Sequence, residues 1–295
     1  TTSAKRSATP VDRSSFVEYD SGMEHSKPFP NPAPKPPGGS ADPEVTVLIT
    51  AHNEEETIQA CLRAVMAQDF PMERVEILLI DDRSTDATVE RAESLGLASL
   101  RILKIVEAPV ALTARQTALD LGLREARGEI VLITDADGRV PREWMRELSG
   151  HMSFRDGAVA GPVIFGGNHH AIARYQSIES LVTFTLYRLL YRHGMTTGVH
   201  TANVAVRRSA YLESGGFAAG GFNSAEGVAL AAILRKGGWS MRYLIDPMVQ
   251  TSDSGSVARL IRRGRRKARC AVPLINSLWL LLRATKILLL GWTAL

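Results

Sequence analysis

Three features of the sequence predict an α/β fold, with a mostly parallel sheet flanked by helices and an α+β second half. Strand-like and helix-like segments alternate from Val45 to Asp137, which calls for right-handed βαβ units and parallel pairing. The strand-like segments are continuous apolar runs, as strands covered on both faces require. Three of them end in acid, and in a parallel open sheet such ends share the edge where ligands bind.

In order, "VTVLITA" from Val45 is the first strand. "EETIQACLRAVMAQ" follows at helical spacing, with Ile58, Cys61, Leu62, Val65 and Met66 on one face. "VEILLIDD" and "SLRILKIVEA" are the second and third strands, each followed by a helix, "TDATVERAESLG" and "TARQTALDLGLREARG". "EIVLITDAD" is the fourth strand. The alternation then weakens. "WMRELSGHM" reads as a helix, "GAVAGPVIF" as a strand and "HHAIARYQSIESLVTFTLYRLLYRHG" as a long helix whose aromatics suit a core or a membrane face. "TANVAVRRSAYLESGGF" is strand then helix, "EGVALAAILRKGG" a helix and "SMRYLIDPMVQT" a last strand.

Four regions follow. Residues 1–44 hold eight of the fourteen prolines and few apolar residues, the composition of an unfolded tail. Residues 45–155 form the first half of the folded domain and 156–254 the second. Residues 255–295 contain "RRGRRKAR", six basic residues of eight from Arg262 to Arg269, and end in a very apolar Leu/Trp-rich run. Basic residues followed by such a helix suit the cytoplasmic face of an anionic membrane, the helix lying on it or spanning it. Two cysteines in 295 residues exclude a disulfide framework, and a polar start without an apolar stretch is unlike a secretory signal. A net charge of +4 is mild, and no nucleic-acid partner is expected.

The acidic strand ends are Asn53-Glu54-Glu55, Asp81-Asp82 and Asp135-x-Asp137. Like charges at one edge repel, and a carboxylate there takes up a proton unless something positive intervenes. They would repel a bare diphosphate, yet accept one that arrives with a divalent cation. Hard oxygen ligands point to Mg2+ or Mn2+. The i, i+2 spacing of Asp135 and Asp137 puts both on one side if the strand continues.

These segments resemble the GT-A-fold family 2 glycosyltransferases, a Rossmann-like fold. The resemblance runs from about Val45 to Arg269. "VTVLITAHNEEETI" is similar to the family's opening strand, and "LLIDDRSTDATVE" to its Asp-Asp-Gly-Ser-Thr-Asp motif with Arg83 in place of glycine. "ARQTALDLGLREARGEIVLITDAD" resembles its Lys-x-x-Ala-Leu-Asn segment and D-x-D strand. "TANVAVRRSAYLESGGF" resembles its Gly-x-Asn-x-Ala-x-Arg-Arg stretch and Gly-Gly-Phe turn. The resemblance implies an inverting, metal-dependent transferase using a nucleotide-diphosphate sugar, UDP-linked, with a lipid or lipid-linked glycan acceptor. It implies that His52, Asn53 and Glu54 line the nucleotide pocket, Asp82 meets the base and Arg115 serves the nucleotide. Asp135 would face the ribose or sugar, and Asp137 would bind the metal.

Two departures stand out. The Glu-Asp pair that supplies the family's base reads Glu226-Gly227 here, and Glu226 is the candidate base. The Gln-x-x-Arg-Trp motif of processive synthases has Arg263 for Gln and Lys267 for Trp, with Arg266 retained, which favours single-sugar transfer. Arg263 and Arg266 are candidate diphosphate contacts, and Asn203 a candidate donor or acceptor contact. His169, His170 and His200 are read as satisfied or exposed histidines rather than metal ligands. Two other readings stand beside this one: a catalytically dead membrane scaffold, and a haloacid-dehalogenase-type phosphatase, whose opening motif "IVLITDADGRV" also resembles.

Overall fold

The computed structural model describes residues 43–107, 111–167, 170–195, 197–221, 225–253 and 255–256. The tail up to residue 42, the basic cluster with Arg263 and Arg266, and the apolar run to 295 lie outside the described residues.

The first half builds β1 (Val45–Ala51), α1 (Ile58–Met66), β2 (Val75–Asp82), α2 (Thr88–Glu93), β3 (Leu100–Ile105), α3 (Ala114–Glu125), β4 (Ile130–Asp135) and α4 (Trp144–Gly150). The second builds β5 (Asp156–Ala160), β6 (Val163–Gly166), α5 (His170–Arg192), β7 (Val204–Arg207), α6 (Arg208–Glu213), α7 (Gly216–Gly220), α8 (Glu226–Lys236), β8 (Ser240–Tyr243) and β9 (Val249–Ser252).

Seven strands form one sheet in the order β3–β2–β1–β4–β7–β5–β8. Only β7 runs against its neighbours, pairing antiparallel with both β4 and β5. The second half therefore continues the sheet of the first. Every residue of β1 and β2 is buried. Alternate side chains serve opposite faces, as a pleated strand requires. Leu48, Leu78 and Ile80 pack with α3 residues such as Leu119 and with Tyr211 and Phe217. Val47, Ile49, Ile77 and Leu79 pack against Ile58, Leu62 and Trp144 on the other face. The N-terminus of α3 is closed by a capping box between Thr113 and Gln116.

Two expectations are corrected. "GAVAGPVIF" is not one strand but two, β5 and β6, which lie in different sheets. "SMRYLIDPMVQT" likewise divides into β8 and β9. The breaks fall at Gly161-Pro162 and at Asp246-Pro247, and proline has no N–H to give a ladder. β6 and β9 pair parallel as a separate ribbon, which crosses to the first half at an Arg139–Gln250 bridge.

Candidate active site

Register puts the acidic ends together. Ala51 of β1 lies opposite Asp81 of β2, and Thr50 opposite Asp135 of β4. The loops that follow β1 and β2 are laced by side chains. Ser84 Oγ accepts from Asn53 N at 2.9 Å, and Asn53 Oδ1 accepts from Thr85 N at 2.8 Å. Thr88 Oγ1 accepts from Glu54 N at 2.8 Å, Asp86 Oδ2 from Glu55 N at 3.1 Å, and Glu55 Oε2 from Ala87 N at 3.2 Å. His52 Nδ1–H donates to the Asp82 carbonyl at 2.6 Å. Asn53 (φ 56°) and Arg83 (φ 58°) are left-handed. Asparagine tolerates that region, whereas for arginine it is strained. The glycine expected at position 83 is thus replaced by a residue held there by its loop, with Arg83 Nε donating to Asp82 Oδ1 at 2.8 Å.

β4 ends at Asp135, and the chain turns at once: Gly138 N donates to the Asp135 carbonyl at 2.8 Å. A Cβ on Gly138 would lie 2.8 Å from that same oxygen and closer still to Thr134 Oγ1, so the turn needs glycine. Asp135 and Asp137 are therefore brought together by a turn rather than by the pleat of a continuing strand. Their partners differ. Asp135 Oδ1 accepts from Arg115 Nη2 of α3. Arg115 also donates to Thr50 Oγ1 at 3.0 Å and to Thr201 Oγ1 at 3.3 Å. Asp137 Oδ2 accepts from Thr251 Oγ1 at 2.7 Å and Ser252 N at 3.0 Å, both on β9. Burial and the Asp135 charge still hold the Asp137 carboxyl above its ordinary range. Glu54 is raised too, by burial and then by Asp137 and Asp135, against a bond from Thr57. Part of the positive charge that the sequence demanded is thus Arg115. It neutralises Asp135 and leaves Asp137 and Glu54 with excess negative charge.

Glu226, the first residue of α8, is half-buried, and its charge acts on Arg115. Negative charge suits a helix N-terminus. Gly227 beside it cannot carry a side chain: a Cβ would sit 2.9 Å from the Val199 carbonyl carbon and closer to its oxygen. The aspartate expected at 227 is excluded by backbone packing.

One expected contact is corrected. Asn203 is fully buried, and its amide is spent inside the protein. Oδ1 accepts from Trp144 Nε1 at 2.9 Å, and Nδ2 donates to the Pro162 and Pro247 carbonyls at 2.7 and 2.9 Å. It braces both strand breaks from inside the core. His200 stacks on Phe184. Thr50, Thr201, Thr251 and Ser252 escaped the sequence reading. Thr251 lies 114 residues from Asp137, and no local pattern links them.

No group of three or more His, Cys, Asp or Glu residues is arranged to hold a metal alone among the described residues. The donor set instead suits an ion completed by substrate phosphate oxygens, the usual habit of Mg2+.

The sequence profile of "Glycosyl transferase family 2" matches residues 46–215, more than half of the 295. The chain belongs to this family. Membership in glycosyl transferase family 2 sets aside the phosphatase reading. Glycosyltransferase AglE of Haloferax volcanii is 34% identical over 146 residues, 47% of this chain and 46% of that protein. Beta-monoglucosyldiacylglycerol synthase of Synechocystis is 29% identical over 106 residues, 36% of this chain and 22% of that protein. The chain thus spans less than half of the length of these curated family 2 relatives. A mannosyltransferase of Pyrobaculum calidifontis, solved with GDP-Man and Mn2+, shares the fold at a TM-score of 0.60 and 23% identity, covering 79% of this chain and 63% of that one.

Proposed function

We propose that this family 2 chain transfers one sugar from a nucleotide-diphosphate sugar, UDP-linked, to a lipid or lipid-linked glycan, with inversion at the anomeric carbon. The observation that carries the reading is Asp137: a half-buried carboxyl with excess negative charge, oriented by Thr251 and Ser252 beside the Arg115–Asp135 pair. Such a group calls for a cation, and the known fold neighbour solved with GDP-Man and Mn2+ supports that choice. Asp137 would hold Mg2+ or Mn2+ together with the donor's diphosphate. Bound there, the ion would supply Lewis-acid neutralisation of the leaving diphosphate.

The chain's own groups do the rest. His52, Asn53, Glu54 and Asp82 surround the nucleoside, and the second oxygen of Asp135 accepts a ribose or sugar hydroxyl. Arg115 orients Asp135 and adds positive charge near the diphosphate. Glu226 takes the proton of the acceptor hydroxyl as that oxygen bonds to the sugar C1. The C1–O bond to the diphosphate breaks, its electron pair leaves with the nucleoside diphosphate, and a single displacement inverts the centre. The family relative named for a glucosyldiacylglycerol supports a lipid acceptor. The Arg262–Arg269 cluster and the apolar segment after it would hold the chain at the cytoplasmic face of a membrane.

Thermal shift of the full chain with UDP-sugars and GDP-Man, with and without Mn2+, tests the donor. A melting temperature that no nucleotide sugar raises, even with Mn2+, overturns the reading. Binding with no transfer, unchanged by Glu226→Gln, would instead establish a catalytically dead scaffold, a reading that the loss of the aspartate at Gly227 favours.

A further inference from the structure

The long helix α5 (His170–Arg192) has two unlike faces. Ala173, Gln176, Ser180, Phe184 and Leu190 are buried. This face leans on β6, where Phe165 N donates to Ser177 Oγ at 2.9 Å, and on the following segment, where Phe184 stacks on His200. The opposite face exposes Tyr175, Ile178, Val182 and Leu189 at 58, 64, 62 and 51%. With the exposed Ala171 and Thr185 they recur at alternating steps of four and three residues. On a helix that spacing makes one stripe. From Ala171 to Leu189 the stripe runs for about 27 Å. Soluble surfaces scatter their exposed apolar residues singly; a continuous stripe marks an interaction site.

Charge decides what covers it. Arg174, Arg188 and Arg192 are exposed and project along the same flank of the stripe, and Glu179 stands on the other. A second copy of the chain fits this poorly. An antiparallel helix pair would bring Arg174 of one copy toward Arg188 or Arg192 of the other, like against like. A flat anionic surface with an apolar layer beneath it meets both halves of the pattern. No helix among the described residues is long and apolar enough to cross a membrane. The apolar stripe and the arginines beside it give α5 the make-up of a helix that lies in the interface.

We propose that α5 lies along an anionic lipid surface, with Tyr175, Ile178, Val182 and Leu189 in the acyl boundary and the three arginines on lipid phosphates. This surface is one layer from the candidate active site. α5 packs on β6, β6 pairs with β9, and β9 holds Asp137 through Thr251 and Ser252. On its other side, the segment carrying His200 leads directly to Thr201, which binds Arg115. A lipid acceptor would be presented beside the donor. The surface does not depend on transfer being the activity, so the test reads lipid contact alone.

The full chain with Val182→Cys and Cys270→Ser is labelled with an environment-sensitive fluorophore; Cys61 is buried, and burial pushes its thiol well up, so it stays unlabelled. Vesicles of phosphatidylcholine with phosphatidylglycerol should shift the emission to shorter wavelength, and pure phosphatidylcholine should do so far less. Adding Arg174→Gln, Arg188→Gln and Arg192→Gln should raise the lipid concentration at half-response by roughly 100-fold at physiological ionic strength. Three results overturn the proposal. One is an unshifted label on protein that sediments with anionic vesicles. Another is a shift without lipid that grows with protein concentration, which would mean a second copy. The third is a label already shielded in dilute lipid-free protein, which would mean that the chain covers its own helix. None of these bears on sugar transfer, which is assayed separately.

Discussion

Asp137 and Glu54 sit in a site that favours their protonated forms. A carboxyl raised in the folded state contributes stability below its unfolded value, and that contribution is lost as pH rises through the raised one. A divalent ion needs the ionised form, so it stabilises more as pH rises. The gain in melting temperature with Mn2+ should therefore grow from about pH 5 to about pH 8. Asp137→Asn should abolish that gain while leaving the metal-free protein no less stable at the upper pH, because the amide oxygen still accepts from Thr251 and Ser252. Gly227→Asp restores the family's acid pair in sequence, yet it should destabilise by roughly 1–3 kcal/mol or more through overpacking against Val199. A denaturant midpoint checks this, and an unshifted midpoint would sink the steric argument. Arg83→Gly relieves a left-handed arginine and should raise stability by up to about 1 kcal/mol, offset in part by backbone entropy. The acids themselves were legible in the sequence, because a charge at the end of an apolar run is conspicuous. Their separate partners were not: Arg115 reaches Asp135 only once α3 has packed on β1 and β2 and β4 has paired with β1.

At the level of elements, helices with strong apolar periodicity and strands with unbroken apolar runs were legible. β5–β6 and β8–β9 were each read as one strand because the residues on both sides of the proline are equally apolar. The backbone N–H that proline lacks was the deciding signal. β5 and β8 are joined at their start by Asp156. Burial works against its charge, but bonds from Ser153 and Ser240 and from Arg242 outweigh it, and the carboxyl lies below its ordinary range. The stability it adds is present above the unfolded value and is lost as pH falls through the folded one. Asp156→Asn should thus cost roughly 1–3 kcal/mol at neutral pH. The deficit should shrink on acidification below about pH 4. Urea titrations of both proteins across that range measure it.

For the molecule as a whole, the shared sheet matters more than any boundary in sequence. β7 covers the open side of β4, so residues 43–155 alone would leave Val131, Leu132 and Ile133 beside an unpaired edge. That fragment should lack a cooperative unfolding transition, whereas 43–256 should melt in one step by calorimetry. Alternation of elements made the parallel half legible. The return of β7 between β4 and β5 was not, because strand order depends on which edge remains open after the first half has folded.

The lacing of the loops after β1 and β2 has a further consequence. Asn53, Glu54, Glu55, Thr85 and Ala87 each give their backbone N–H to a side chain of the opposite loop. None of these amide protons can be released to solvent without parting the two loops. In heavy water they should be replaced by deuterium at a common rate, as one unit. The rim that the two loops form would then open and close as a single flap.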